Sequence, residues 1–157
     1  MAAVSNVSLS ITDGSTPKEK TVTVSGMLTF DSREVARQYR LEIKLFGEDL
    51  EGDSVPSTVP AGDDELYTFM FKGPSFFPFR PYTQFAPNKE EYPFTFTRTI
   101  SAENLNEDSG VDTILVGLPP HTHIKPKTDE VYAKVTLALA PWSSTVNSNT
   151  EKGIFGF

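Results

Sequence analysis

Residues 39–45 read Tyr-Arg-Leu-Glu-Ile-Lys-Leu, an unbroken alternation of apolar and charged side chains. In a β-strand, side chains two residues apart lie on the same face, so the four apolar side chains face one side and the three charged ones the other. A helix, with its period of about 3.6 residues, would scatter the same side chains around its axis. The stretch therefore predicts a strand of an antiparallel sheet, with one face in the core and one face in water.

Six further stretches of the chain repeat this period of two. They lie at residues 7–11, 22–30, 67–71, 94–100, 111–118 and 131–139. Clusters of Gly, Pro, Asn and Asp separate them, and no long window carries a helical stripe. We expect residues 1–140 to form an all-β domain, an antiparallel two-sheet sandwich of about seven strands with no substantial helix. Immunoglobulin-like, C2-like and jelly-roll topologies all fit this pattern.

Two details refine the expected sheets. Residues 111–118 are apolar on both faces and residues 131–139 alternate over a long run, so both are expected to be central strands.

Gly26 interrupts the apolar face of the stretch 22–30. A glycine inside a strand predicts a bulge or a close approach of another group to the backbone.

Composition excludes several classes of partner and chemistry. The chain has 14 Lys and Arg against 21 Asp and Glu, a net charge of -7, and its basic residues do not cluster. A phosphate backbone would be repelled, so we expect no binding to nucleic acid. Because there is no cysteine, disulfides and thiolate chemistry are absent. The sequence shows no signal peptide and no transmembrane segment, which predicts a soluble domain of unknown compartment.

Residues 104–112 place oxygen-bearing side chains at alternate positions around a glycine, a spacing that can surround a calcium ion. The four ligands would be Asn104, Asn106, Asp108 and Asp112. Compared with the 12-residue calcium loop of an EF-hand, the glycine comes one position late. Leu115 occupies the position at which that loop has a glutamate that binds calcium through both oxygens. Since Asn, Asp and Gly also form ordinary turns, calcium as a cofactor and a metal-free turn both remain open.

A segment rich in proline and aromatic residues, 73–92, separates two of the predicted strands. Its candidate contact residues are Phe76, Phe77, Phe79, Arg80, Tyr82 and Phe85. Prolines keep such a segment extended. If exposed, the rings would bind a sugar, an apolar ligand or a partner protein, with Arg80 stacking on a ring or bonding a carboxylate. If buried, they would close one end of the sandwich.

The last residues, 141–157, predict a flexible connector rich in Ser and Asn, followed by an apolar tip. The tip contains Ile154, Phe155 and Phe157. Apolar side chains of this size tend to be covered, either by the tip's own domain or by a neighbouring subunit on which it docks. The sequence leaves both arrangements open.

No motif supports catalysis, because neither a Gly-x-Ser-x-Gly elbow nor a phosphate-binding glycine loop is present. We therefore expect a non-catalytic interaction or structural module. It would associate with copies of itself or join a larger assembly through the aromatic loop and the C-terminal tip. The alternative is a calcium-dependent module that binds sugar or lipid head groups, and a third hypothesis is an enzyme on a sandwich scaffold.

Overall fold

The computed structural model describes residues 1–48, 64–73, 79–106, 111–126, 128–139 and 142–155. Within these ranges the chain forms strands and one short 3-10 helix, Ala102–Leu105. The strands are β1 (Ala3–Asp13), β2 (Glu19–Thr29), β3 (Tyr39–Gly47), β4 (Asp64–Thr68), β5 (Phe71–Lys72), β6 (Phe79–Arg80), β7 (Thr83–Phe85), β8 (Glu91–Ser101), β9 (Val111–Val116), β10 (His121–Pro126), β11 (Asp129–Leu139) and β12 (Trp142–Gly153). No helix in the described ranges is long and apolar enough to cross a membrane.

Two antiparallel sheets form the body of the molecule, which confirms the predicted all-β sandwich. The first sheet has the order β1-β2-β8. In the second, the order is β12-β11-β3, and the far edge of β3 is shared by two short strands, with β4 along residues 44–47 and β7 along residues 39–41. The stretch 39–45 thus occupies the centre of the second sheet.

The inward faces of the two sheets share one hydrophobic core. Tyr39, Leu41, Ile43 and Leu45 are at most 2% exposed, as their alternation predicts. The same core cluster contains Val22, Val24 and Leu28 of the first sheet and Val131, Val135 and Leu137 of β11. Burying each such aliphatic side chain is worth about 1.5–3 kcal/mol, so this interior is the main favourable term in folding.

Gly26 confirms the prediction of a bulge and a close approach. It lies in β2 opposite a bulge in β1, where the pairing register shifts between Ser5 and Ser8. A Cβ atom at Gly26 would lie 2.7 Å from Cζ of Phe94 and 3.2 Å from the carbonyl oxygen of Ser5. Glycine is required because the Phe94 ring occupies the space that a side chain would need.

The C-terminal segment differs from its prediction. Residues 142–153 are not a flexible connector but strand β12, which pairs with β11 from Trp142 opposite Leu139 to Gly153 opposite Asp129. Backbone hydrogen bonds hold this edge strand with few apolar side chains: Val146 packs against the core, while alternate positions such as Ser143 are exposed to water. Its polar composition therefore marks an edge strand here, although the same composition is typical of linkers.

The prediction that the stretch 111–118 forms a central strand is also wrong. Strand β9 pairs with β10 and with no other strand of the described chain. Leu115 is 75% exposed and Leu118, in the turn that follows, is 97% exposed. A strand with apolar residues on both faces is usually covered on both, but here nothing in the described structure covers these leucines.

One side of the sandwich is closed by a side chain. Edge strands β1 and β12 belong to different sheets, and β12 bulges opposite Ala133, where its register with β11 shifts. From this bulge Asn149 reaches β1: the N–H of Leu9 donates to Oδ1 at 2.8 Å, and Nδ2 donates to the carbonyl oxygen of Leu9 at 3.1 Å. The amide thus pairs with Leu9 as the backbone of another strand would.

We expect Asn149→Ala to destabilise the fold by about 1–3 kcal/mol, since both backbone groups of Leu9 lose their partner. Asn147→Ala is the matched control. It lies on the same strand with an exposed side chain, so its effect should stay within about 0.5 kcal/mol. Urea unfolding followed by circular dichroism gives both values. Equal losses for the two variants would show that the amide of Asn149 does not close the sandwich.

Candidate functional site

The side of the sandwich away from Asn149 is open. There β8 ends the first sheet and β7 lies at the edge of the second. Between them is an apolar groove of about 300 Å³. We call it the open-edge groove. The residues that matter for its chemistry are Leu41, Thr83, Phe85, Tyr92, Phe94 and Phe96.

Aromatic rings connect this groove to the core. The ring centroid of Phe85 lies 5.8 Å from that of Tyr92 and 6.4 Å from that of the fully buried Tyr39. On β8, the rings of Phe94 and Phe96 stack with centroids 6.0 Å apart. Such contacts add to the stability gained from burial, so the aromatic walls of the groove are packed against one another and against the core.

Basic groups lie at both ends of the row of rings on β8. At one end the Lys89 ammonium is 5.1 Å from the ring centroid of Tyr92. At the other end the guanidinium of Arg98 lies 5.4 Å from the centroid of Phe69, 5.3 Å from that of Phe71 and 6.0 Å from that of Phe96. These distances are within the range of cation–π attraction. At the first end Glu90 and Glu91 directly follow Lys89, so the local charge is not positive there, whereas the other end of the row is covered by the guanidinium of Arg98.

Arg98 occupies an unusual position for a charged residue. On β8 it lies in the same alternate set as Phe94, Phe96 and Ile100, so its side chain starts from the inward face of an edge strand. Its Nη2 donates to the carbonyl oxygen of Met70 at 3.1 Å. An inward charge on an edge strand discourages a foreign strand from extending the sheet. Arg98 thereby makes pairing of a foreign strand along the free edge of β8 less favourable.

Residues of the predicted aromatic loop reach different places. Phe76 and Phe77 lie outside the described residues, Phe79 is 68% exposed, and Phe85 is half-buried in the wall of the open-edge groove. Tyr82 is contacted by two guanidinium groups, with the centroid of its ring 4.5 Å from Arg40 and 4.9 Å from Arg80.

The cation–π stack around Tyr82 is separate from the groove. Arg40 alternates along β3 with Tyr39 and Leu41, whose side chains are buried, so it projects from the outer face of the sheet. Arg80 is held beside the stack, since its Nη1 donates to Oε1 of Gln84 at 3.2 Å. Exposed and buried interpretations of the loop therefore each hold for part of it: Phe79 faces water and Phe85 packs inward.

The four residues predicted to bind calcium do not lie on one element. They belong to the 3-10 helix and its end, to β9, and to a segment outside the described residues. Asn104 is exposed in the 3-10 helix, and Asn106 follows that helix with its N–H donating to the carbonyl oxygen of Glu103 at 3.3 Å. Asp108 lies outside the described residues, and Asp112 belongs to β9. Among the side chains that are described, no group of three histidines or acidic residues is arranged to hold a metal. The calcium site stays a prediction.

The C-terminal tip folds back onto its own domain at Phe155. That ring is 9% exposed within the core cluster, and its N–H donates at 2.9 Å to Oδ2 of the fully buried Asp129. Ile154 is 40% exposed, and Phe157 lies outside the described residues. Phe155 therefore stabilises the fold, and a deletion from residue 150 onward would remove core and strand residues together.

Sequence reasoning missed a hairpin formed by β9, β10 and the turn 117–120. Gly117 has a φ of +84°, and a Cβ there would approach Cε1 of His121 to 3.1 Å, so the turn requires glycine. We call residues 111–126 the projecting hairpin, because it makes few contacts with the other elements. The signal was present in Gly117-Leu118-Pro119-Pro120, a cluster of turn formers between two β-branched stretches.

We expect Arg98→Lys to destabilise the domain by about 1 kcal/mol, although it keeps the charge. A lysine ammonium cannot reproduce the flat contact of the guanidinium with several rings. Arg37→Lys, at an exposed position, is the control and should change stability little. Urea midpoints measured at low and high salt compare the two. A result of equal stability for Arg98→Lys and the wild type would rule out the proposed role of the stacked guanidinium.

Two comparisons with known proteins assign no family: no protein-family model matches the chain, and no curated protein sequence matches it. The open-edge groove and the projecting hairpin are therefore interpreted from their own residues.

Proposed function

We propose that the protein is a non-catalytic, self-associating interaction module whose contact element is the projecting hairpin. The observation that carries this proposal is the exposure of Leu118 and Leu115, at 97% and 75%, on a ribbon that pairs with no other strand among the described residues. The predicted class of function is kept, while the contact element moves from the aromatic loop and the C-terminal tip to the hairpin, since Phe155 of the tip is buried and Phe85 of the loop is half-buried.

The energetics of an isolated ribbon support this proposal. A two-stranded hairpin alone in water is marginally stable, and it gains stability when one face packs against another surface. Burying a leucine side chain in a contact is worth about 1.5–3 kcal/mol. Covering Leu115 and Leu118 would therefore stabilise the hairpin and the assembly at the same time.

The chemistry of the hairpin tip favours a protein partner. Residues 113–120 contain no charged side chain, and the whole chain carries a net charge of -7. Neither feature suits a phosphate backbone, whose binding depends on basic groups. An apolar tip rimmed by a polar surface is typical of a protein–protein contact.

We expect Leu118→Asp to lower the molar mass in solution to that of the monomer, because a carboxylate at the tip opposes burial in an apolar contact. Leu118→Met is the matched control, and it should keep the wild-type mass because it keeps the apolar character. Light scattering coupled to size-exclusion chromatography, run over a wide range of protein concentration, gives the masses.

Compared in dilute protein, where the wild type is dissociated, both variants should fold with wild-type stability within about 0.5 kcal/mol, since this side chain contributes nothing to the core. Circular dichroism and thermal melting check this point. A wild-type protein that is monomeric at every concentration, or an unchanged mass for Leu118→Asp, would refute self-association through the hairpin.

A further inference from the structure

We infer that the projecting hairpin binds the open-edge groove of a second copy of the chain, with Leu118, Pro119 and Pro120 inserted between β7 and β8. This inference rests on the proposed function and adds the receiving surface. Each copy would then donate one tip and accept another through two different surfaces.

The tip and the groove have matching chemistry. Leu118, Pro119 and Pro120 are all exposed and carry only apolar side chains. The groove presents the aromatic side chains of Phe85, Tyr92, Phe94 and Phe96. Aromatic-lined grooves are a recurrent binding surface for proline-containing segments, because proline rings pack flat on aromatic rings and lose little entropy when bound.

The sizes also agree. An apolar protein cavity of about 150 Å³ accommodates a benzene molecule. The groove, at about 300 Å³, has room for side chains of that size in pairs, such as the leucine and a proline ring of the tip. It lacks the room for a whole additional strand, and the inward Arg98 on β8 disfavours strand addition.

A second copy is favoured over the chain's own hairpin as the occupant. At 97% exposure, Leu118 is not inserted in any surface of its own chain that the structure describes. Because both copies carry a net charge of -7, they repel each other overall, and a contact made through the uncharged residues 113–120 avoids bringing further like charges together. The uncharged tip brings no ion into the apolar groove, so no charge has to be desolvated there.

The test uses two variants with complementary defects. Thr83→Arg places a long charged side chain in the groove, because Thr83 is half-buried and shares its face of β7 with Phe85. Thr83→Val, of nearly the same shape, is its control. Thr83→Arg alone and Leu118→Asp alone are each expected to be monomeric. Mixed, they should form a one-to-one complex, because the first retains an intact tip and the second an intact groove.

The outcomes separate this inference from the proposed function. If Leu118→Asp is monomeric while a folded Thr83→Arg keeps the wild-type mass, the hairpin mediates association but the groove does not receive it. If the two monomeric variants fail to combine on mixing, the inference is again overturned. A wild-type monomer would overturn both proposals.

Cysteine cross-linking keeps the inference testable even if Thr83→Arg does not fold. The chain has no cysteine, so a mixture of Leu118→Cys and Thr83→Cys can form disulfides only through the introduced thiols. Thr83 lines the groove, and its side chain lies on the inward face of β7 because it pairs with the buried Leu41. We expect a mixed disulfide dimer under mild oxidation. Ser143→Cys, exposed on β12, is the control, and equal cross-linking to position 143 would contradict insertion of the tip in the groove.

Discussion

The burial of the inward face of β3 is the constraint on which the rest of the structure depends. Alternate side chains from Tyr39 to Leu45 must all leave water together, and the backbone of β3 must find partners along both edges. Strand β11 satisfies one edge over most of its length, whereas the other edge is divided between β4 and β7. Because β7 is only three residues long, the second sheet ends abruptly beside β8. The open-edge groove is the consequence.

The edge strands of the two sheets meet differently on the two sides of the sandwich. On one side, the amide of Asn149 joins β12 to β1 through two hydrogen bonds with the backbone of Leu9. On the other side, aromatic rings reach the surface between the sheets, and Arg98 places its guanidinium over three of them. The Asn149 amide thus joins the two sheets on one side, whereas the other side leaves an apolar surface open between them.

The sequence predicts the elements whose side chains alternate between core and water. That pattern identifies β1, β2, β3, β8 and β11. Gly26 marks the position at which the ring of Phe94 packs against the backbone of β2. The pattern could not reveal β12, because backbone hydrogen bonds hold this edge strand and few of its side chains, such as Val146, pack against the core. It also misplaced 111–118, since the exposed Leu115 and Leu118 have the same apolar character as residues that face a core. Of the candidate site, only Phe85 was predicted, because the groove unites residues from β3, β7 and β8 that are distant in the chain.

The projecting hairpin is uncovered in a single copy, and the proposed assembly would cover it. Hydrogen–deuterium exchange of the amides in 111–126, followed as a function of protein concentration, tests this claim most directly. We predict fast exchange in dilute protein and slower exchange as the protein is concentrated, while the amides of β3 exchange slowly throughout. Exchange in the hairpin that does not change with concentration would contradict the account.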